Sequence, residues 1–345
     1  MPITLTTISN DLLSSTLYDL MDGELRDGLY KKNAFLDNAR KLGGVDTGDG
    51  GTKLVMPIIV DDHTVATEHV GGWEAPNMVF NDVMKPAEYD WVGYSAQIGI
   101  NKMEQVKNTS EKARIKIVET RARQVMSMLT RQINQQILAG AVTGTTMANM
   151  NTLNGHTITT GFLENGAPAA ATQTNTVGGL AKATVNVPGW YNQYETCASS
   201  FSTAGLAQMQ ALINDCNETA PMGEVMLTIM SRAGFANYRR ALSANERYVD
   251  AKTLDGGRMA LTFNGQLVEQ DTSMPVNGGV GTDEYSAYML NFDALTLVTL
   301  EDFTVTPFET LEGGTIQNST LWFIGQLGVN HIGSNGVLVD GDTWV

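Results

Sequence analysis

Residues 109–139, TSEKARIKIVETRARQVMSMLTRQINQQILA, carry the strongest pattern in the chain. Ile115, Val118, Ala122, Val125, Leu129, Ile133 and Ile137 step by three and four, which sets one apolar stripe on a helix. Asn108, Thr109 and Ser110 offer N-cap oxygens, Glu111 suits the positive helix start, and Gly140 offers the left-handed stop. About thirty residues rising ~1.5 Å each predict a rod of roughly 45 Å. Its opposite face is basic, with Lys112, Arg114, Lys116, Arg121, Arg123 and Arg131 against Glu111 and Glu119. That face is either solvated or paired with acidic neighbours.

Upstream, residues 10–31 predict a second amphipathic helix, with Leu13, Leu17, Leu20, Leu25 and Leu29 at helical spacing and Ser9 or Asn10 as caps. From Leu42 to about Pro86 the character changes. Glycine-rich 43–51 opens it, and Lys53–Val60 follows as a strand whose Pro57 favours an edge or bulge. Polar, β-branched 62–70 and the turn Gly71-Gly72 come next. So long an extended excursion with few core residues is anomalous in a compact monomer and sensible as an arm lying on another subunit.

Downstream, residues 141–182 are rich in Gly, Thr, Asn and Ala and nearly uncharged, and read as a long loop or hairpin region. Helical spacing returns at Leu206, Met209, Leu212, Ile213 and Cys216. Met226–Met230 reads as a buried strand, with Ser231 capping a helix through Phe235, Tyr238 and Leu242. Phe263-Asn264-Gly265-Gln266 is a hairpin turn. Strands are predicted at 287–290, 295–300, 321–326 and 329–332. The class is α+β.

Composition narrows the function. The net charge is -15, and no Lys or Arg follows Arg258. A duplex-binding surface needs clustered cations, so sequence-specific nucleic-acid binding is not expected. Cys197 and Cys216 lack CxxC spacing and read as two buried free thiols. The start, Met-Pro-Ile-Thr-Leu-Thr-Thr, has neither the basic end nor the apolar core of a signal peptide, and no stretch approaches the ~20 apolar residues of a membrane span. Synthesis and residence in a cytoplasm are expected.

Motifs for chemistry are thin. Asp46-Thr47-Gly48 matches the aspartic-protease tripeptide, but that chemistry needs two carboxylates, and a single copy among glycines reads as a flexible turn. Asp61, Asp62, His63, Glu68 and His69 are the densest set of metal-ligand types, at a spacing that fits no established motif. Residues 48–53 have the wrong order for a phosphate loop. Of four histidines, His63, His69 and His156 sit in loop- or arm-like context and His331 in a predicted strand. No catalytic residue, cofactor or metal is assigned.

The order of elements resembles the tailed-bacteriophage major capsid family, the Hong Kong ninety-seven type. Gly72-Trp73-Glu74 is similar to the aromatic-then-Glu turn of that family's extended loop. Lys85–Tyr89 through Ile98–Glu104 looks like the strand leading into its spine helix. Leu261–Glu269 through Ser273-Met274-Pro275 resembles a strand, Gly, strand, Met-Pro run, and Tyr288–Asp293 the strand after it. The likeness spans nearly the whole chain through loose motifs in a specific order.

The resemblance implies an N-terminal arm at 1–41, an extended loop (E-loop) at 42–90, a peripheral P domain at 91–190 around the spine helix, a central axial (A) domain at 191–300, and closing P-domain strands at 301–345. It implies a non-enzymatic subunit of an icosahedral virion shell, self-assembling as hexamers and pentamers in a bacterial cytoplasm and enclosing DNA without reading its sequence. Separate scaffolding, portal or decoration proteins are the implied partners, with no membrane. Leu17, Leu20, Val55, Ile58, Trp73, Glu74, Arg114 and Arg121 are the candidates for inter-subunit contact. The alternatives are a nanocompartment shell or another phage structural protein, such as a tail component. From other classes come a hydrolase or metal-binding enzyme using Asp46 or the His63/His69 cluster, and a monomeric binding module.

Overall fold

The computed structural model describes residues 33–59, 68, 83–107, 111–140, 147, 149–185, 188–197, 201–244, 252–253, 259–275, 284–310 and 316–340. The predicted helix at 10–31 therefore lies outside the described residues. In the first half stand α1 (Ala34–Lys41), β1 (Val45–Thr47), β2 (Lys53–Ile59), β3 (Met84–Asp90), β4 (Val92–Asn101), α2 (Lys102–Lys107), α3 (Glu111–Ala139), β5 (Thr176–Val177), β6 (Leu180–Ala181) and α4 (Lys182–Val185). After them come β7 (Gln193–Cys197), α5 (Leu206–Thr219), β8 (Leu227–Met230), α6 (Arg232–Ala244), β9 (Lys252–Thr253), β10 (Met259–Phe263), β11 (Gln266–Gln270) and β12 (Glu284–Leu290). The last strands are β13 (Leu295–Val305), β14 (Glu309–Thr310), β15 (Ile316–Val329) and β16 (Gly336–Asp340).

The stripe of α3 is buried as its spacing requires: Val118, Ala122, Met126, Leu129, Ile133 and Ile137 all lie in the main core. Gly140 ends the helix at φ +75 and donates its N–H to the Gln136 carbonyl at 2.9 Å. A left-handed residue after the last turn is what a glycine C-cap supplies. The α1 helix is capped from afar. Asn33 makes no side-chain cap, and buried Asp271 instead accepts the Ala34 N–H at 3.1 Å and the Asn134 amide at 3.0 Å. One carboxylate thereby satisfies a helix start and joins it to α3.

Two sheets share the core. The five-stranded sheet runs β1-β13-β15-β14 with β4 on the other side of β15. Alternate β4 residues Val92, Tyr94, Ala96, Ile98 and Ile100 are buried in the core that also holds the stripe of α3. The seven-stranded sheet runs β7-β16-β12-β8-β11-β10-β9. Its faces separate with period two. Leu227, Ile229, Tyr288, Leu290, Val337 and Val339 join the main core. Met230, Ala287, Met289, Leu338 and Val268 join a second core under α5 and α6, with Met209, Leu212, Phe235 and Tyr238. Cys197 and Cys216 are buried there, outside any disulfide.

Local chemistry explains the turns. Gly234 donates to Ser231 Oγ at 3.0 Å, which caps α6. Asn264 (φ 51) and Gly265 (φ 83) form the left-handed pair that joins β10 to β11. Asn-Gly adopts this turn at little cost because both residues tolerate positive φ.

Several expectations fail. The strand at 329–332 is absent: β15 ends at Val329, Ile332–Ser334 is a 3-10 turn, and the last strand is 336–340. His331 consequently sits in the turn, not in a strand. Asp46 lies in β1, paired in parallel with Val298, instead of in a flexible turn. Its neighbouring glycines are at the ends of a three-residue strand that β13 templates. The loop or hairpin region expected at 141–182 is, over 149–181, a run of turns ending in the β5–β6 hairpin, and Met150, Leu153, Phe162, Leu163 and Val177 carry it into the main core.

Candidate assembly surfaces

The β2–β3 ribbon is the first surface. Its strands pair antiparallel from Lys53↔Asp90 to Ile59↔Met84, and Pro57 stands opposite Pro86. Among the described residues it is a two-stranded sheet, so both strands are edges, which is where proline is tolerated. Such a ribbon needs something to lie on. The inner face supplies it: Leu54 and Met56 are half-buried, while Ile58, Ala87 and Tyr89 are buried in the chain's own core. Gly328 on β15 makes room, because a Cβ there would meet Met56 Cε at 2.5 Å.

Hydrogen bonds fix the ribbon's base. The Tyr89 hydroxyl donates to the Val329 carbonyl at 2.8 Å, and its ring tilts against Phe162 at 6.1 Å. Burial pushes this phenol far above its ordinary pKa, so it remains a donor. The Glu88 N–H donates to the Gly178 carbonyl at 3.0 Å, and Gln326 Nε2 to the Asp90 carbonyl at 2.7 Å. The outer face is different. Val55 (53%), Ile59 (69%) and Met84 (55%) are exposed there with Pro57 and Pro86, beside a charged end where Lys53 pairs with Glu88 at 3.0 Å.

The platform beneath the base is a polar knot missed in the sequence. Lys182 is wholly buried, 3.1 Å from Glu164 Oε1, and donates to Phe162 O at 2.8 Å and Asn192 Oδ1 at 2.9 Å. Glu164 also accepts the N–H groups of Thr174 at 2.8 Å and Asn175 at 3.0 Å. Burial lowers the Lys182 pKa to about 8, against the opposing pull of Glu164. A signal existed: Glu164 and Lys182 are the only Asp, Glu, Lys or Arg between positions 141 and 192. A lone acid and a lone base in an otherwise uncharged, core-forming segment are candidates for each other.

The spine face is the second surface. Arg121 does not reach outward: it donates to the Gly99 carbonyl of β4 and pairs with Glu104 at 2.7 Å. Arg121 holds the Glu104 carboxyl below its usual pKa range. Arg123 pairs with Glu119 one turn earlier at 2.6 Å. Lys116 and Arg131 are exposed. Arg114 lies in the first turn of α3.

Of the eight contact candidates, Val55 is exposed on the outer ribbon face, whereas Ile58 faces the opposite way and is 5% exposed. Ile58 is thus a correction: adjacent strand residues alternate faces, and its side packs inward. Arg121 is engaged within the chain, with 33% of its side chain left exposed. Leu17, Leu20, Trp73 and Glu74 lie outside the described residues, as do His63 and His69. Asp46 is exposed, and its carboxylate accepts the N–H of Thr47 at 2.8 Å.

By sequence the chain matches no protein-family model and no curated protein. By structure it is similar to the capsid asymmetric unit of cyanophage A-1(L), with a TM-score of 0.59, 14% identity, and coverage of 89% of this chain and 92% of that one. It is also similar to the holo-SrpI encapsulin complex of Synechococcus elongatus, with a TM-score of 0.54, 11% identity, and coverage of 87% and 85%. The capsid of an empty GTA particle matches with a TM-score of 0.53, 12% identity, and coverage of 88% and 96%. The chain has the α+β fold of the tailed-phage major capsid proteins, which the encapsulin shares.

Proposed function

We propose that this chain is the repeating subunit of a closed icosahedral shell, the major capsid protein of a tailed phage, and that its work is assembly instead of catalysis. The observation that carries this reading is the two-sided β2–β3 ribbon. The ribbon is pinned to β15 through Tyr89 and Met56 and to the β5–β6 turn through the Glu88 N–H, and its other face presents Val55, Ile59 and Met84 to solvent. A rigid base with an exposed apolar outer face suits an arm that lies on a neighbouring copy, where many modest contacts sum by multivalency. The matching of nearly the full length of capsid chains supports the same reading.

Such subunits would join through heterologous contacts that close into pentamers and hexamers. The cation-free stretch after Arg258 suits a shell that encloses DNA without gripping it. The likeness to an encapsulin favours one second reading, a nanocompartment that encloses protein cargo. The test is to express the chain alone and with its neighbouring genes, then examine particles by negative-stain microscopy. Hollow polyhedra or rings are expected, and nuclease-protected DNA distinguishes a capsid from a compartment. A monodisperse monomer under every condition, including co-expression, overturns both.

A further inference from the structure

We propose that Asn165-Gly166 is a self-modification site, where the folded chain converts its own asparagine to aspartate or isoaspartate through a cyclic imide, ahead of its other Asn-Gly pairs. Such pairs begin at Asn154, Asn165, Asn264, Asn277 and Asn335, and all but Asn277 lie in the described residues. Glycine leaves its backbone nitrogen most open to the preceding side chain, because it carries no Cβ. What separates the pairs is how the fold holds each carboxamide.

Three of them are tied down. Asn154 Nδ2 donates to Ala139 O at 2.9 Å and Thr157 Oγ1 at 2.8 Å, and the Gly155 N–H donates to Leu163 O at 2.8 Å. Asn335 Oδ1 accepts the Asn291 N–H at 2.9 Å, its Nδ2 donates to His331 O at 3.4 Å, and Gly336 is the first residue of β16. Asn264 Nδ2 donates to Gln210 Oε1, in a left-handed turn held by the β10–β11 ladder. Each must break a hydrogen bond before its carboxamide can swing onto the next nitrogen, at a cost of roughly 1–3 kcal/mol for a buried group.

Asn165 has no such restraint. Its Oδ1 and Nδ2 are both shielded from solvent, and neither has a hydrogen-bond partner among the described residues. The Gly166 N–H makes no backbone hydrogen bond among them either. A shielded, unpaired amide is already unfavourable, so moving it gives up nothing. Gly166, at φ +141, leads straight into the exposed run Ala167, Pro168 and Ala169, so water reaches the pair from that side. The bonds balance without a cofactor. Hydroxide removes the Gly166 proton, the nitrogen attacks Asn165 Cγ, the Cγ–Nδ2 bond breaks, and Nδ2 takes a proton from water and leaves as ammonia. Water then opens the imide at either carbonyl, giving aspartate or isoaspartate. The new acid adjoins Glu164, the partner of buried Lys182, in the platform under the ribbon base.

The test is timed incubation of the purified full chain in mildly alkaline buffer, with peptide mapping by mass spectrometry and enzymatic methylation of isoaspartate. Asn165 should convert roughly tenfold or more faster than Asn154, Asn264 or Asn335, the factor that one unbroken hydrogen bond supplies. Asn165→Gln should remove the early product and leave the slow ones. In denaturant the same pairs should converge to within a few-fold, because the fold alone distinguishes them. Asn165 converting no faster than the other three in the folded chain overturns the site. The same ranking in denaturant also overturns it, since local sequence would then set the order.

Discussion

Gly328 and Met56 fit as hole and peg: a Cβ at position 328 would lie 2.5 Å from Met56 Cε and 2.9 Å from its sulfur. Gly328 has an ordinary strand backbone, so the constraint is contact and not conformation. Gly328→Ala should therefore destabilise by about 1–3 kcal/mol through overpacking. Shortening the peg with Met56→Ala in the same chain should return part of that loss. Denaturant midpoints of the two single variants and the double measure the coupling; strict additivity would mean that the two residues do not press on one another.

The Lys182–Glu164 pair gives a second prediction. The two side chains are 0% and 8% exposed. Lys182→Met leaves the carboxylate buried without its cation and should cost about 3–5 kcal/mol, whereas Lys182→Met/Glu164→Gln should be much closer to wild type. Calorimetric melting of both variants checks this.

The same lysine has a pH signature. In the fold its pKa is lowered from 10.5 to about 8 by burial. Between those values the unfolded chain holds a proton that the folded chain has released, so this group makes stability rise with pH. Wild type should gain relative to Lys182→Met from pH 8 to 10.5. A flat difference across that window would show that Glu164 and the surrounding acceptors keep the ammonium charged in the fold.

His331 acts at the acid end. Its ring is packed over Gly189, where a Cβ would fall 2.3 Å from Nε2, and Nδ1 lies 2.7 Å from Ser334 Oγ. Burial lowers its pKa from 6.5. The unfolded chain therefore takes up a proton first as pH falls through about 6.5, and stability declines from there downward on account of this residue. His331→Asn should flatten that limb of the stability–pH curve, measured by urea midpoints from pH 7.5 to 5. An unchanged slope would assign the acid sensitivity to other groups.

What the sequence disclosed followed from periodicity. The stripe from Val118 to Ile137 and the Asn264-Gly265 turn are local patterns, so spacing and φ preference sufficed to place them. The short apolar run at 287–290 placed a buried strand for the same reason. What stayed hidden depends on partners distant in the chain. Asp46 is in a strand because β13, some 250 residues later, pairs with it. Residues 141–182 read as loop or hairpin because they are polar and glycine-rich, and what that pattern could not show is that Lys182, Asn175 and nearby Asn192 turn their polarity inward onto backbone carbonyls. Ile58 was grouped with Val55 as a contact candidate, yet three residues along a strand put the two on opposite faces.

That inversion yields the sharpest test of the ribbon. Val55 is 53% exposed and Ile58 is 5% exposed, three residues apart on one strand. If the outer face meets another copy, Val55→Asp and Ile59→Asp should leave melting nearly unchanged, within about 0.5 kcal/mol, because no contact in the isolated chain is lost. Both should nonetheless lower the yield of assembled particles, because a charge would be carried into an apolar contact. Ile58→Asp should fail earlier and differently, by burying an unpaired carboxylate in the chain's own core and unfolding it. Melting and particle counts on the same three preparations separate the cases. Equal loss of stability in all three would place the ribbon's outer face within the monomer fold, and normal particles from Val55→Asp and Ile59→Asp would remove that face from assembly.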